Sequence, residues 1–179
     1  YNGQHDDISN TLLMTAYSNI GDINNAINIF NNIPEKSRNI VTIGAMMKCL
    51  IDNYQNEKAI TVYEQYNGEH NDVSNTLLMT AYNNIGDIDN VINTFNDIPE
   101  NKKNVVTVNA MMKCLIDNNQ NYKAISIYEQ FKHSKHNDIS NTLFIKACTN
   151  IGDAEKGANF IKSITDGDIK FTNSVIAFY

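Results

Sequence analysis

The residues with the greatest capacity for chemistry in this sequence are three cysteines, Cys49, Cys114 and Cys148. A thiolate can act as a nucleophile or bind a metal, but both uses need partners at suitable spacing. The sequence has no CxxC pair and no group of Cys and His at metal-ligand spacing. All three cysteines lie inside apolar helical patterns, so we predict that they are reduced packing residues.

No other group of residues forms a catalytic constellation. Carboxylates such as Asp87 and Asp89 lie at a predicted helix start, where a negative charge suits the helix dipole. We interpret three histidines as solvated linker residues, with a position beside phosphate as the alternative: His5, His70 and His136. We therefore expect no enzyme, no cofactor, no metal and no small-molecule substrate.

The elements that position these side chains come from an internal repeat. HDDISNTLLMTAYSNIGD at 5–22 returns as HNDVSNTLLMTAYNNIGD at 70–87 and as HNDISNTLFIKACTNIGD at 136–153. A second block, NIVTIGAMMKCLIDNYQNEKAITVYEQY at 39–66, returns as NVVTVNAMMKCLIDNNQNYKAISIYEQF at 104–131. The double unit is 65 or 66 residues long, and each of its halves is a candidate repeat.

Each half predicts two short helices. In the first half, an apolar-periodic segment meets the pair Gly21-Asp22, which supplies a helix C′ residue and then an N-cap. A second segment follows, and Pro34 stops it. In the other half the break falls at residues 52–53, and Asn56 is the predicted cap of the second helix.

A small residue and a large one, four positions apart, set the register of the second helices. The small residues are Ala26, Ala59, Val91, Ala124 and Gly157, and the large ones are Phe30, Tyr63, Phe95, Tyr128 and Ile161. They recur every 32 or 33 residues, a period typical of helical hairpins that bury their apolar faces only by stacking. We therefore predict an all-α solenoid, in which the recurring aromatic and Met side chains pack between repeats: Tyr17, Tyr82, Met46, Met47, Met111 and Met112.

The repeated strings resemble pentatricopeptide repeats over almost the whole chain. The repeats fall at about 7–39, 40–71, 72–104, 105–137 and 138–168, with the start of a sixth at 169–179. Tetratricopeptide repeats have a similar length, but the Trp and the Leu-Gly pair of their first helix are absent here. The resemblance implies a right-handed superhelix of helix-turn-helix units whose first helices line a groove for single-stranded RNA, one base per repeat.

In this family one residue early in the first helix and the last residue of the repeat read the base edge, while an apolar residue three positions before the first reader packs on base faces. The first readers that the resemblance implies are Thr11, Gly44, Thr76, Asn109, Thr142 and, in the sixth repeat, Asn173. The last residues are Asn39, Asn71, Asn104, Asn137 and Asp168. The stacking residues are Ile8, Val41, Val73, Val106 and Ile139, with Lys170 as the exception.

The last residues are all Asn or Asp, which has a chemical meaning. An Asn amide can donate to the ring nitrogen of adenine or cytosine, and an Asp carboxylate can accept the N–H of guanine or uracil. In the family, Thr as first reader goes with purines and Asn with pyrimidines. The implied core is 5′-A-N-A-Y-G-3′, where Y is C or U and N is unselected opposite Gly44. Two alternatives stay open: the Asn residues are only helix caps, and the apolar residues form a helix staple.

Charge argues against tight binding of nucleic acid. The 179 residues carry a net charge of -6, whereas phosphate binders normally carry surplus Lys and Arg. In three repeats a lysine lies four residues after the first reader. These lysines are candidates for weak phosphate contact: Lys48, Lys113 and Lys146. Asp52 and Asp117 lie near where the family commonly has a basic residue. We expect a plot of log affinity for RNA against log salt concentration to have a slope of only about 2 in magnitude.

Two functions follow from these expectations. The first is sequence-selective binding of single-stranded RNA in a mitochondrion or another organelle, for RNA processing, stability or translation. The second is an acidic helical scaffold that binds a protein partner within a larger mitochondrial assembly.

No apolar run reaches the length of a membrane span. Because the sequence starts without Met and stops within a repeat, we expect it to be part of a longer protein.

Overall fold

The computed structural model describes residues 7–131 and 136–165, and within these ranges it contains ten α-helices and no β-strand. The helices are α1 (Asp7–Asn19), α2 (Ile23–Asn32), α3 (Ile40–Asp52), α4 (Asn56–Glu64), α5 (Asp72–Asn84), α6 (Ile88–Asp97), α7 (Val105–Asp117), α8 (Asn121–Gln130), α9 (Asp138–Asn150) and α10 (Ala154–Thr165). Short 3₁₀ turns at Glu35–Ser37 and Glu100–Lys102 follow α2 and α6. The predicted all-α class and the two helices per repeat are confirmed. Asp168, Lys170, Asn173 and the predicted sixth repeat lie outside the described residues.

The hairpin turns of the first, third and fifth repeats follow the predicted chemistry. Gly21 has φ 77°, a left-handed conformation that suits glycine after a helix end. Asp22 then caps α2, because its carboxylate accepts the backbone N–H of Asn25. Asp87 does the same for α6. These local bonds end one helix and start the next within three residues, so each sequence block folds back on itself.

The second and fourth repeats make the same turn without glycine. Tyr54 and Asn119 take the left-handed conformation, with φ 59° and 58°. The prediction that Asn56 caps α4 is wrong: Asn56 is the first residue of α4, its side chain is buried, and Gln55 holds the cap position without a side-chain hydrogen bond. Asn56 instead accepts a hydrogen bond of 2.9 Å from Asn84 at the end of α5. It therefore ties two consecutive repeats together.

The chain divides into two compact units, Tyr1–Pro99 and Glu100–Tyr179. In the first unit α1, α3 and α5 pack side by side, and each second helix packs on its own first helix. In the second unit α9 packs against both α7 and α8. Each hairpin falls inside one predicted repeat. The predicted single array and its handedness stay predictions.

The core includes the residues that the register identified. The small residues Ala26, Ala59, Val91 and Ala124 are fully buried, and the large residues beside them are buried or half-buried. In the first unit the fully buried Met46 and Met47 of α3 lie in one cluster with side chains of α1 and α5. The packing role predicted for the Met and Tyr residues is therefore confirmed within that unit. No helix among the described residues combines the length and the apolarity that crossing a membrane requires.

The three cysteines are buried free thiols, as predicted. Burial raises the pKa of the Cys114 thiol to about 11 and also raises the pKa of Cys49 and Cys148. A thiol that stays protonated is a poor nucleophile and a poor metal ligand. Within the described ranges, no three His, Cys, Asp or Glu side chains gather where they could hold a metal ion.

Candidate nucleic-acid interface

The predicted site residues occupy the same helical positions in every described repeat. The first readers are the fifth residues of α1, α3, α5, α7 and α9: Thr11, Gly44, Thr76, Asn109 and Thr142. The predicted stacking residues are the second residues of these helices, and the predicted phosphate lysines are the ninth. Residues three and four apart share one helix face, so the three positions form one stripe along each first helix.

The five predicted stacking residues are exposed. Their exposed fractions run from 47% for Val106 to 71% for Ile8, and Val41, Val73 and Ile139 lie between. A hydrophobic staple joins the residue before the N-cap to the fourth helical residue, whereas these side chains occupy the second helical position. The staple interpretation is therefore wrong. Because these side chains are partly exposed, covering each would gain only a part of the about 1.5 to 3 kcal/mol that full burial of such a side chain contributes.

In the first four repeats the last residue caps the first helix of the next repeat. The side-chain Oδ1 of Asn39, Asn71, Asn104 and Asn137 accepts a backbone N–H in the first turn of α3, α5, α7 and α9. The third helical residue, Thr or Ser, completes each capping box by accepting the backbone N–H of the cap residue. Capping uses the oxygen of the amide and not its nitrogen. The same side chain can therefore cap a helix and still donate from Nδ2.

One predicted reader pair is in direct contact. Nδ2 of Asn109 donates to Oδ1 of Asn137 at 3.1 Å, although 28 residues separate them. The hydroxyl of Ser140 donates to Oδ1 of Asn109 at 2.7 Å. The structure thus brings the fifth residue of α7, Asn109, into contact with the cap residue of α9, Asn137. The roles that the family resemblance implies for these two residues require that they lie close together.

The other first readers differ in what they present. A Cβ added at Gly44 would meet no atom within 4 Å outside its own helix backbone and chain neighbours, so this position is open space. The Thr142 hydroxyl donates to the carbonyl of Asp138 in its own helix at 2.7 Å. Oγ1 of Thr76 is enclosed and has no hydrogen-bond partner among the described residues. Thr11 is half-buried. Thr76 belongs to the first unit, and its predicted partner Asn104 belongs to the second.

Two of the three predicted phosphate lysines are in ion pairs. Nζ of Lys48 lies 2.8 Å from Asp52, and Nζ of Lys113 lies 2.6 Å from Asp117, each one turn further along the same helix. Both lysine side chains are about two-thirds exposed, with relative accessibilities of 65% and 66%. Lys146 is exposed, and the residue four positions after it is Asn150 rather than an acid. The doubt that the two aspartates cast on phosphate binding therefore has a structural basis.

The interpretation of His70 and His136 as solvated linker residues is wrong. The His70 ring stacks on Tyr63 with a centroid distance of 3.6 Å, and the His136 ring stacks on Tyr128 at 3.9 Å. Both tyrosine hydroxyls in turn donate to an Asn of the next first helix, Asn75 or Asn141. Desolvation lowers the pKa of both histidines and raises the pKa of both tyrosines to about 12. Each histidine therefore packs on a tyrosine of its own repeat, and that tyrosine bonds to the next repeat. His5 lies outside the described residues.

Ser140 is the residue of this surface that sequence reasoning did not single out. It lies on the same helix as a reader but contacts the reader of the preceding repeat. The sequence feature that marks Ser140 is its place as the third residue of a capping box. That place predicts a helix cap but does not predict a contact with a reader. The Tyr–His stacks could have been suspected from the recurrence of His after a Tyr-containing second helix at 63–70 and 128–136.

The family model described as PPR repeat matches residues 106–136, which include α8 and all of α7 except its first residue. A pentatricopeptide repeat-containing protein of Arabidopsis thaliana is 24% identical over 106 residues, a segment that covers 58% of this chain and 18% of that relative. The chain thus spans less than a fifth of the length of this relative. Its helical hairpins and these matches make the chain similar to pentatricopeptide repeat proteins, and residues 106–136 match one such repeat.

Proposed function

We propose that this protein binds single-stranded RNA in a sequence-selective way, one base per repeat. The observation that carries the proposal is the set of exposed Ile and Val side chains at the second position of every described first helix. Solvent-exposed apolar side chains that recur in each first helix, next to polar side chains on the same stripe, can insert between the flat bases of RNA. Members of this family generally bind RNA and generally are not enzymes.

Base selection in the proposal rests on the first readers and the cap residues. An Asn whose Oδ1 is used by a helix start offers its Nδ2 hydrogens, and adenine N1 or cytosine N3 can accept them. The proposed core is 5′-A-N-A-Y-G-3′, read parallel to the chain. The final G depends on Thr142 and Asp168, and substituting Asp168→Asn is expected to move that preference from G towards A. A variant that keeps the preference for G would contradict this assignment.

Stacking, rather than charge, is the main source of affinity that we propose. Stacking of a base on a protein side chain contributes about 1 to 3 kcal/mol where the side chain is aromatic. Aliphatic wedges contribute less. Because Lys48 and Lys113 are paired with aspartates, RNA phosphates compete with those carboxylates. We therefore expect modest affinity with a weak salt dependence.

The cellular role in the proposal follows from the family. Pentatricopeptide repeat proteins are typically organellar, and the corresponding role here is RNA processing, stability or translation in a mitochondrion or another organelle. The protein would act by occupying or exposing a segment of a transcript. An acidic scaffold that binds a basic protein partner is the second candidate, and the net charge of -6 together with the paired lysines favours it.

Binding of 5′-AAACG-3′ and of five uridines, at about 50 and about 200 mM salt, separates the two candidates. We expect clear preference for the first RNA, and the V41S/V73S variant should bind it roughly tenfold more weakly because two wedges are lost. Tyr122→Ser is the matched control: Tyr122 is also exposed, at 72%, but it lies on the second helix α8. Equal binding of both RNAs, or no binding, would favour the scaffold.

A further inference from the structure

A cavity of about 540 Å³ lies between the first and the second hairpin, within the first unit. One residue from each of three helices gives it an apolar lining: Phe30 of α2, Ile43 of α3 and Val62 of α4. Phe30 and Ile43 are buried and Val62 is half-buried, so packing holds these side chains in place. Cavities of about 300 to 1,000 Å³ with an apolar lining are typical of sites for small organic molecules.

The chain that follows α4 forms one wall of this cavity. Tyr66, Asn67 and Gly68 line it, and the half-buried Tyr66 ring meets the His70 ring edge-on at a centroid distance of 5.5 Å. A Cβ added at Gly68 would collide with the end of the Tyr66 ring. Glycine therefore lets the backbone lie directly against the ring, and a side chain at this position would displace the aromatic wall of the cavity.

Arg38 places a positive charge at the cavity. Its Cζ lies 4.4 Å from the centre of the Phe30 ring, and its Nε donates to the carbonyl of Ile33 at 3.2 Å. These contacts hold the half-buried side chain, and among the described residues no carboxylate pairs with it and no acceptor meets its Nη groups. A guanidinium presents such N–H groups as a planar fork that fits the two oxygens of a carboxylate. Arg38 is therefore positioned for an anion that the described part of the chain does not supply.

The second unit shows the same position in a neutralised form. Lys103 takes the place of Arg38 in the second double unit, and its Nζ lies 3.0 Å from Glu100. The counterpart of Glu100 is Glu35, which lines the cavity but makes no ion pair with Arg38. Lys36 also lines the cavity. Two cationic side chains and one carboxylate leave one net positive charge, which suits an anion with a single negative charge.

We propose that this cavity is a binding site for a small aromatic carboxylate. The Nη groups of Arg38 bind the carboxylate in a bidentate way, and the ring of the ligand lies against Tyr66 and the apolar side chains. A phosphate monoester fits less well, because its second negative charge is repelled by Glu35. The ligand contacts two successive hairpins and therefore stabilises the first unit. The proposal concerns binding alone and does not depend on whether the protein binds RNA.

The first test is titration calorimetry of the full chain with 2-naphthoate at about 50 mM salt. We expect a Kd of about 1 mM or lower. The neutral 2-naphthamide has nearly the same shape, and its binding should be roughly tenfold weaker because it cannot form the charge-assisted bonds to Arg38. Failure of 2-naphthoate to bind, or equal binding of the amide, would overturn the proposal. Tighter binding of 2-naphthyl phosphate would overturn the choice of a carboxylate.

The second test uses variants of the cavity lining. Arg38→Gln should weaken binding of 2-naphthoate roughly tenfold, and Gln65→Glu, which adds a negative charge to the lining, should weaken it about threefold. Gln130→Glu is the matched control, because Gln130 has the same place at the end of α8 and should leave the affinity unchanged.

Thermal melts followed by circular dichroism show whether Arg38→Gln folds, since this variant also loses the contact with Phe30. Gln65 is exposed, so Gln65→Glu tests the site even if Arg38→Gln does not fold. Wild-type affinity in Gln65→Glu, or in folded Arg38→Gln, contradicts the assigned site. An equal loss in Gln130→Glu also contradicts it, because that effect would not come from the cavity.

Discussion

At the scale of single residues, the two kinds of hairpin turn differ in the side chain that adopts the left-handed conformation. Glycine does so in the first, third and fifth repeats, where φ is 75° to 78°. In the other two repeats the residue is Tyr54 or Asn119. A left-handed residue with a bulky Cβ costs about 1 to 2 kcal/mol, but Asn tolerates this conformation better than Tyr. Tyr54 is 91% exposed, so packing does not compensate for the strain.

We therefore expect Tyr54→Gly to raise the free energy of unfolding by about 0.5 to 1 kcal/mol. Glycine relieves the backbone strain, but part of this gain is lost because glycine also increases the entropy of the unfolded chain. Urea denaturation followed by circular dichroism measures the change. Asn119→Gly is the matched control in the second unit, and its effect should be smaller because Asn already suits this conformation. If Tyr54→Gly destabilises the protein, the strain assigned to Tyr54 is wrong.

At the scale of helices, the two repeat types differ in the charge along the reader stripe. The helices α3 and α7 carry a Lys–Asp pair at their ninth and last residues, while α1, α5 and α9 end in Asn. Such exposed pairs contribute only a few tenths of a kcal/mol, and a carboxylate at a helix C-terminus opposes the helix dipole. The aspartates therefore add little to stability. Their main effect is to neutralise the lysine charge next to the readers.

The D52N/D117N variant should bind RNA roughly fivefold more tightly at low salt, because two lysines become available to phosphates. Its plot of log affinity against log salt should steepen towards a slope of about 2. The substitutions give α3 and α7 the Asn that already ends the other first helices, so we expect the fold to be unchanged. The control is D89N on the second helix α6, which should leave both quantities unchanged. An unchanged affinity of D52N/D117N would show that the lysines do not meet phosphate.

At the scale of the whole molecule, each unit is stabilised by the packing of its own helices, and one stacked histidine in each unit makes part of that packing sensitive to pH. Desolvation lowers the pKa of His70 and His136 below the ordinary value of 6.5, so the unfolded chain binds more protons than the folded one as pH falls. Their contribution is complete above about pH 6.5 and is lost as the pH drops through that value towards the lowered pKa.

We expect the thermal midpoint to fall between pH 7.5 and pH 5.5, and the H70F/H136F variant to show a smaller fall. Phe keeps a flat ring against Tyr63 and Tyr128 but cannot take up a proton. The measurement is the difference between the two midpoints of each protein, so that a constant effect of the substitutions cancels. Equal differences in wild type and variant would mean that other groups cause the pH dependence.

Much of this protein follows from local sequence. The apolar period, the Gly21-Asp22 turn and the small residues every 32 or 33 positions predicted helical hairpins and their core, because each of these features acts within one or two helical turns. The helical position of the candidate readers also followed once the repeat register was known. Asn56 was misassigned because a buried Asn and a capping Asn look alike in sequence, and only its bond to Asn84, 28 residues away, separates them.

The tertiary structure decided which side chains meet and which stay in solvent. The sequence contains Asn109, Asn137 and Ser140 and the repeated Tyr and His residues, but their contacts depend on the distance and rotation between neighbouring hairpins. Local propensity does not specify that rotation, because it results from how the small and large core residues of two repeats fit together. The same fit leaves the second residue of each first helix exposed. Thus the sequence by itself determined the repeating helices, and packing between repeats determined the surface that we propose for RNA.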